Sequence, residues 1–293
     1  MEIIDRKSGK KFKEKIYYEK IIRFFYGKSS LGSSLAKVTA TYPFFSKFFG
    51  FLQTLPSSKK KILPFIEKYQ VNTAEFLDPV ASFNSFNEFF TRKLKPETRP
   101  IAQSDAIIPT DGRFLFYQDI EACDGYVLKG EKFSLASLIG SETLAEKYLG
   151  GSMVIGRLNP TDYHRFHFPC NGKPSLPRMI NGFLYSVNPI ALKENLSRFT
   201  KNKRCVTTLE SPNFGMVLLI EVGATNVGSI KQTYTPNENC LKGDEKGFFE
   251  FGASAIVLLF EKNKIIFDKD LCVNSTQHIE TLCIMGQSLG NKK

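Results

Sequence analysis

In FGASAIVLLFE (251–261), a bend of small residues is followed by six consecutive apolar residues. A short apolar run of this kind, entered from a glycine and followed by a charge, is typical of a buried β-strand. Four similar runs occur along the chain: GRFLFYQDI (112–120), GSMVIGRL (151–158), GMVLLIEVG (215–223) and NKIIFD (263–268). The best helical patterns between them are 132–149 and 189–199. The sequence therefore predicts a mainly antiparallel sheet with few helices.

The first 77 residues have a different texture. Residues 1–15 are polar and basic, which indicates a loosely ordered arm or a short strand. Apolar side chains then recur at helical spacing and predict a helix over 16–26. The segment PFFSKFFGFLQTL (43–55) predicts a second helix, because proline suits a first helical turn. We expect an α+β protein with an N-terminal helical segment, residues 1–77, packed on a mainly antiparallel β body, residues 78–293.

The helix predicted over 43–55 carries a wide aromatic face, followed by lysines at 59–61. This face consists of Phe44, Phe45, Phe48, Phe49 and Leu52. Two interpretations stay open: the face packs on the core, or it lies on a membrane surface, which the neighbouring lysines favour. Lysines interrupt every apolar run well below the roughly 20 residues that a bilayer-spanning helix needs.

Composition limits the class of partner. The chain has 293 residues and a formal net charge of +11, which favours an anionic partner such as nucleic acid, acidic lipid or an acidic metabolite. It contains 27 Phe and no Trp, and the early basic charge is interleaved with Phe, a mixture that suits a lipid headgroup boundary better than a DNA groove. The six cysteines are scattered, and no apolar signal sequence opens the chain, so reduced thiols and a cytosolic location are expected.

Two of the three histidines lie close together in NPTDYHRFHFPCNG (159–172). His164 and His167 point to opposite faces of an uninterrupted strand, whereas a turn could direct both into one cavity. His-x-x-His could also supply two zinc ligands, with Cys170 or His278 as a third, but no further ligand stands at the usual spacing. The pair indicates a functional site, and a metal is the weaker interpretation.

A serine nucleophile is the other candidate chemistry. Such a serine needs a base, and the base needs an orienting carboxylate, which sequence-distant residues can supply. Asp111 in IIPTDGRF (107–114), His167 and Ser254 provide these three groups. A turn at Asp111 and a simple bend before a strand at Ser254 explain both residues equally well, so the pattern alone leaves a serine hydrolase open as an alternative. A basic nucleic-acid-binding module, favoured only by net charge, is the second alternative.

Several separated blocks together resemble the phosphatidylserine decarboxylases, pyruvoyl-dependent enzymes made as proenzymes. The resemblance covers about residues 78–290. Its blocks are SFNSFNEFFTRKLKPETRPI (82–101), PTDGR (109–113), DYHRFHFPCNG (162–172), NGFLYSVNP (181–189), EVGATNVGSI (221–230) and KGDEKGFFEFGASAIVLLF (242–260).

The resemblance implies a lyase that converts phosphatidylserine to phosphatidylethanolamine and CO2. Ser254 would attack the carbonyl of Ala253, with His167 as base oriented by Asp111, and scission would leave a 253-residue β chain and a 40-residue α chain. The new N-terminus would be a pyruvoyl group, a covalent pyruvate cofactor that forms a Schiff base with the substrate. His164 would assist decarboxylation and reprotonation. A homodimer at the cytoplasmic face of the cell membrane, peripherally bound and without nucleic acid, is expected.

One position departs from the family pattern, in which glycine directly precedes the reactive serine. Here the residue is Ala253, and Ala255 lacks the hydroxyl usual after the serine. If the backbone at 253 needs a positive φ, the added Cβ costs roughly 1–2 kcal/mol, which slows cleavage about 5- to 30-fold. Because the nucleophile is retained, we expect slow rather than absent processing.

Overall fold

The computed structural model describes residues 2–14, 19–26, 30–41, 43–121, 134–188, 197–224 and 229–293. The strands are β1 (Glu2–Asp5), β2 (Lys11–Lys13), β3 (Ala106–Ile107), β4 (Gly112–Tyr117), β5 (Ser152–Leu158), β6 (Arg165–His167), β7 (Lys173–Pro174), β8 (Arg178–Ile180), β9 (Arg204–Ser211), β10 (Gly215–Gly223), β11 (Ile230–Gln232), β12 (Glu245–Phe249), β13 (Ser254–Phe260), β14 (Ile265–Phe267), β15 (Glu280–Cys283) and β16 (Ser288–Lys292). The helices are α1 (Glu19–Tyr26), α2 (Ser30–Thr41), α3 (Pro43–Thr54), α4 (Ile62–Tyr69), α5 (Phe86–Phe90), α6 (Leu135–Ile139) and α7 (Glu142–Glu146), with further helices over Ser197–Lys201 and Lys269–Thr276. Short 3-10 turns cover Pro56–Lys61, Thr73–Glu75, Val80–Ser82 and Pro96–Thr98.

A ten-stranded sheet forms the centre of the fold, in the order β2-β1-β15-β4-β5-β13-β10-β9-β7, with β8 also paired to β9. All of its pairs are antiparallel except β1 beside β15. Two three-stranded sheets, β11-β12-β6 and β14-β16-β3, complete the body. The predicted α+β class and mainly antiparallel sheet are confirmed. Four of the five predicted strands are neighbours at the sheet centre, and the fifth, β14, lies in a small sheet.

After Ser254, strand β13 is entirely apolar, and both of its faces are covered. Its alternate residues Ile256, Leu258 and Phe260 belong to one buried cluster, and Ala255, Val257 and Leu259 belong to another. Side chains alternate across a strand, so two separate cores bury the two faces. Each fully buried aliphatic or aromatic side chain contributes about 1.5–3 kcal/mol relative to exposure. The strand that begins at Ser254 is thus firmly fixed.

The N-terminal segment begins as part of the large sheet. Of the two predicted alternatives for residues 1–15, a strand is confirmed: β1 pairs in parallel with β15, and its Ile3 is fully buried. The helix predicted over 16–26 is α1, and residues 15–18 lie outside the described residues. The boundary after residue 77 stays a prediction. An aromatic cluster lies across it, made of Ile62, Phe65, Phe76, Phe83, Phe86, Phe89 and Phe90.

The helical pattern over 132–149 forms two short helices rather than one. Gly140 ends α6 in a left-handed conformation, with φ of 70°. Serines cap both helices, since Ser134 accepts from the Ser137 amide and Ser141 from the Leu144 amide. Residues 189–196 of the other predicted helix lie outside the described residues.

Four aromatic side chains of α3 are open to solvent, whereas Leu52 of the predicted face is half-buried and the side chain of Phe45 lies outside what the structure describes. Phe44 is 70% exposed, and Phe48, Phe49 and Phe51 are each about half exposed. Core packing therefore does not account for these four side chains. None of the described helices is long and apolar enough to cross a membrane.

Candidate active site

Ser254 lies at the first position of β13, opposite Leu158 of β5 and Gly223 of β10. Its side chain is fully buried, and its Oγ has no hydrogen-bond partner. A buried hydroxyl without a partner is costly, so such groups in native proteins call for an explanation, and a chemical role is one. The carbonyl oxygen of the preceding residue, Ala253, accepts a hydrogen bond of 3.1 Å from the Ala224 amide. That donor polarises the peptide bond before Ser254.

The unusual backbone at this bend is at Gly252, not at Ala253. Gly252 has φ of 147°, a region that favours glycine, whereas Ala253 does not have a positive φ. The methyl group of Ala253 instead packs against the apolar cluster that contains Val257. The condition for the expected backbone penalty at residue 253 is therefore not met.

His164 lies in the turn between β5 and β6 and is completely buried. Its Nδ1 is 3.0 Å from the Asp162 carbonyl oxygen, which can only accept, so Nδ1 carries the proton. Its Nε2 is buried without a partner, and the ring lies 3.8 Å from the Phe90 ring, centroid to centroid. Burial, together with the nearby Arg92 charge, lowers the pKa of His164 to about 3. The imidazole is thus neutral, with its lone pair at Nε2.

His164 and the Ser254 segment are held by shared neighbours. The Phe249 amide donates to the His164 carbonyl oxygen at 3.0 Å. The ring of Phe251, three residues before Ser254, contacts Phe90 at 5.2 Å on the same aromatic group that holds His164. The last residue of β12 and the segment that follows it therefore tie the histidine turn to the bend before the serine.

His167 ends β6, and its backbone amide donates to the Pro109 carbonyl oxygen at 2.8 Å. Its Nδ1 donates to the Gly243 carbonyl oxygen at 2.8 Å, and its Nε2 accepts from the Tyr163 hydroxyl at 3.2 Å. Burial lowers the pKa of His167, although the Gly243 carbonyl opposes the shift. This ring is also neutral, but its Nε2 is occupied by Tyr163.

Asp111 is buried and bonded to groups other than His167. Its carboxylate accepts from Arg99 through Nε at 3.0 Å and Nη2 at 2.6 Å, and from the Met285 amide at 2.8 Å. Burial raises the pKa of this carboxyl, and the Arg99 hydrogen bonds oppose the shift. The structure thus differs from the predicted arrangement: within the described residues the Gly243 carbonyl, not Asp111, orients His167. The physical reason is that a buried carboxylate needs a cation, which Arg99 supplies.

Sequence reasoning named Ser254, Ala253, His164, His167 and Asp111, and it missed their partners. Tyr163 and Arg92 contact or influence the two histidines, and Arg99 holds Asp111. The arginines belong to the block 82–101, and Tyr163 precedes His164 directly. These residues therefore lie in segments that the sequence analysis singled out, but their contacts could not be predicted from the sequence.

Metal ligation finds no support in the geometry, since the part of the chain that the structure describes contains no group of three His, Cys, Asp or Glu side chains able to hold an ion. Cys170, Cys205, Cys240 and Cys283 are free thiols, as expected, whereas Cys123 lies outside the described residues.

Comparison with known proteins identifies the family of this chain. The phosphatidylserine decarboxylase family matches residues 86–291. The chain is 49% identical to a phosphatidylserine decarboxylase proenzyme of Chlamydia pneumoniae, over 100% of this chain and 97% of the relative. It is 47% identical to the corresponding proenzyme of Chlamydia caviae and 45% identical to that of Chlamydia felis, each over 99% of this chain and 97% of the relative. With these blocks in order and this geometry around Ser254, the chain belongs to the phosphatidylserine decarboxylase family and is a carboxy-lyase.

Proposed function

We propose that this chain is a self-processing proenzyme whose mature form decarboxylates phosphatidylserine to phosphatidylethanolamine. The observation that carries the proposal is Ser254 Oγ, buried without a partner beside the carbonyl that Ala224 polarises. The printed names of the relatives, which call them proenzymes, agree with processing of the precursor.

Maturation begins when Ser254 Oγ attacks the carbonyl carbon of Ala253. The C–N bond breaks, an ester forms, and the hydroxyl proton passes to a base while the Ser254 nitrogen becomes an amine. The Ala224 amide stabilises the negative charge that develops on the Ala253 oxygen. Elimination then releases residues 1–253 with a new carboxylate and leaves dehydroalanine at 254. Tautomerisation and hydrolysis release ammonia and leave the pyruvoyl group.

We assign His167 as the maturation base. Its Nε2 must either exchange the Tyr163 hydroxyl for Ser254 or receive the proton through that hydroxyl. Asp111 contributes through Arg99 and the neighbouring segment rather than by direct contact with the ring, because His167 hydrogen-bonds to Pro109 through its backbone amide.

In the mature enzyme the pyruvoyl group supplies an electron sink for the carbanion left when CO2 departs. A site at the start of β13 fits it, because Ser254 is sealed from water and already adjoins a hydrogen-bond donor. His164 is assigned to proton transfer at Cα. Its Nε2 is unprotonated and unpartnered, so it can take a proton from the substrate ammonium and later deliver that proton to Cα.

The two chains produced by cleavage stay together. The α chain contains β13, which is hydrogen-bonded along its length to β5 and β10 of the β chain. These ladders and two apolar clusters persist when one peptide bond is cut. A homodimer, with no nucleic acid bound, remains part of the proposal.

Membrane attachment is assigned to the exposed face of α2 and α3 at the cytoplasmic surface. Leu31, Val38, Phe44, Phe48 and Phe51 are all more than two-fifths exposed. An apolar helical face followed by lysines suits the boundary of an anionic bilayer.

A cavity of about 230 Å³ lies between α3 and the segment just before Gly252. Gly50, Phe51 and Thr54 of α3 line one side, and Glu250 and Phe251 line another. Exposed Phe51 of the proposed membrane face thus borders a cavity whose opposite wall lies two residues before Ala253.

Intact mass spectrometry tests the processing. Wild-type protein should give fragments split between Ala253 and Ser254, and Ser254→Ala should stay one chain. Ser211→Ala is the matched control, because Ser211 Oγ is also buried. An uncut wild-type chain with full decarboxylase activity would refute the mechanism.

Vesicle flotation tests the membrane face separately. Replacing Phe44, Phe48 and Phe51 by serine should abolish binding to phosphatidylserine vesicles. The control replaces Leu176 and Leu241, which are also well exposed. Equal loss in both variants, or none in either, would contradict this assignment.

A further inference from the structure

The N-terminal segment reaches the site through one buried carboxylate, Glu14. Its side chain is 4% exposed and lies between two arginines. Oε1 is 2.6 Å from Arg113 Nε, and Oε2 is 2.6 Å from Arg157 Nη2. Asn159 Nδ2 donates to Oε1 at 3.1 Å. Glu14, the last of the described residues 2–14, is thus fixed by three groups of the body.

The two arginines lie next to the site. Arg113 on β4 and Arg157 on β5 are cross-strand partners, and Arg157 also faces Ala255, the residue after Ser254, on β13. Arg157 Nε donates to Glu280 of β15 at 2.7 Å. Glu14 therefore bridges two guanidinium groups that otherwise stand side by side with like charge.

The second connection runs from Arg113 to the histidine turn. Arg113 pairs with the Asp162 carboxylate, which also accepts from the Asn159 amide at 2.7 Å. The Asp162 carbonyl oxygen accepts the Nδ1 proton of His164. Three steps, Glu14 to Arg113 to Asp162 to His164, therefore link the first residues of the chain to the neutral base.

The other end of the segment is anchored independently. Strand β1 pairs with β15, and Arg6 binds Asp268 at 2.7 Å and Asp270 at 2.8 Å. Residues 2–14 are therefore held at both ends, and we call them the strap. Burial would raise the pKa of Glu14, but Arg157 and Arg113 outweigh it and lower the pKa, which keeps the carboxylate charged.

We propose that the strap presets the active site, with Glu14 as a positioning residue that fixes the turn Asn159–Asp162 and thereby the ring of His164. The proposal rests on the proposed role of His164 in proton transfer. Loss of the bridging charge leaves Arg113 held, among the described residues, by Asp162 alone, which lets the guanidinium and the turn shift together. Misplacement of a catalytic group by about 1 Å can lower the rate 100-fold.

The test compares Glu14→Gln, which keeps the shape and removes the charge, with Glu2→Gln, an exposed strap residue of the same type. We expect Glu14→Gln to lower kcat for CO2 release about 10-fold, per cleaved molecule by intact mass, with little change in KM. Glu2→Gln should match wild type. If Glu14→Gln does not fold, Glu14→Asp, which withdraws the charge by one methylene, should show a smaller fall in the same direction.

Histidine-selective 15N NMR supplies a readout that general destabilisation does not move. The chain has three histidines, so the spectrum contains three rings. In Glu14→Gln the His164 nitrogens should shift, whereas His167, bonded to Gly243 and Tyr163, and exposed His278 should not. An unchanged His164 signal with wild-type kcat would overturn the proposal. A wild-type protein that neither cleaves nor releases CO2 would instead overturn the proposed function, and the NMR comparison would still test the strap.

Discussion

Replacing Lys246 by methionine should destabilise the protein strongly, because it leaves Glu221 as a buried, unpaired carboxylate. Lys246 on β12 is fully buried, and its Nζ lies 3.0 Å from Glu221 Oε2 on β10 and 2.8 Å from Gln232 Oε1 on β11. The pair joins the small sheet that carries His167 to the strand beside β13. Breaking a buried ion pair by removing one partner costs about 3–5 kcal/mol.

A double variant separates the cost of the unpaired charge from the cost of losing the contacts of Lys246. Lys246→Met with Glu221→Gln removes both charges, and it should recover most of the loss, since replacing a whole buried pair is often nearly neutral. For a chain of this length a loss of 3–5 kcal/mol corresponds to a fall of about 5–10 °C in Tm. The measurement is thermal and urea unfolding of both variants in a Ser254→Ala background, which keeps the protein a single chain. Equal stability of the single and double variants would refute the argument.

Three further outcomes follow from the site. Ala253→Gly should change the cleavage rate less than about 2-fold, because residue 253 lacks a positive φ. Gly252 has φ of 147°, so Gly252→Ala should lower the free energy of unfolding measured in urea by roughly 1–2 kcal/mol. The pKa of His164 is about 3 in the folded protein, below its usual 6.5, so the unfolded chain binds the proton first as pH falls. The free energy of unfolding should therefore fall as pH drops from about 6.5 towards 3. His164→Gln should reduce this pH dependence, measured by unfolding at each pH. Arg99→Met should lower Tm by several degrees, because it leaves the buried Asp111 carboxylate without its cation. Adding Asp111→Asn should restore most of the lost Tm. A double variant as unstable as the single variant would contradict that explanation.

The centre of the fold could be predicted because its signal is local. The run at 255–260 is apolar at every position, and the structure buries both of its faces, so no alternation was needed to recognise a strand. Strand β1 is harder to predict, since it has only four residues and its partner is far along the chain, with Ile3 beside Glu280. Short strands whose pairing is non-local carry little sequence signal.

The site was predictable in its reactive residues and not in their partners. Serine and histidine types indicate which groups can react, but the assignment of Asp111 to His167 rested on the family resemblance and not on any contact that the sequence shows. The structure places Arg99 on Asp111 and the Gly243 carbonyl on His167, contacts set by long-range packing. Likewise, a wide aromatic face on a helix can pack in the core or lie at the surface. The sequence left both open, and the structure shows that Phe44 and its neighbours are exposed.

The tautomers of His164 and His167 distinguish the proposed roles of the two residues, which their spacing in the sequence does not. Each Nδ1 faces a backbone carbonyl, which only accepts, so each neutral ring must present its lone pair at Nε2. At His167 that lone pair is engaged by Tyr163, a donor that can pass a proton or withdraw. At His164 it is engaged by no described group and is sealed from water beside Phe90. A base held ready in a dry site suits repeated proton transfer to substrate, whereas a base restrained by a hydroxyl suits an event that each chain undergoes once.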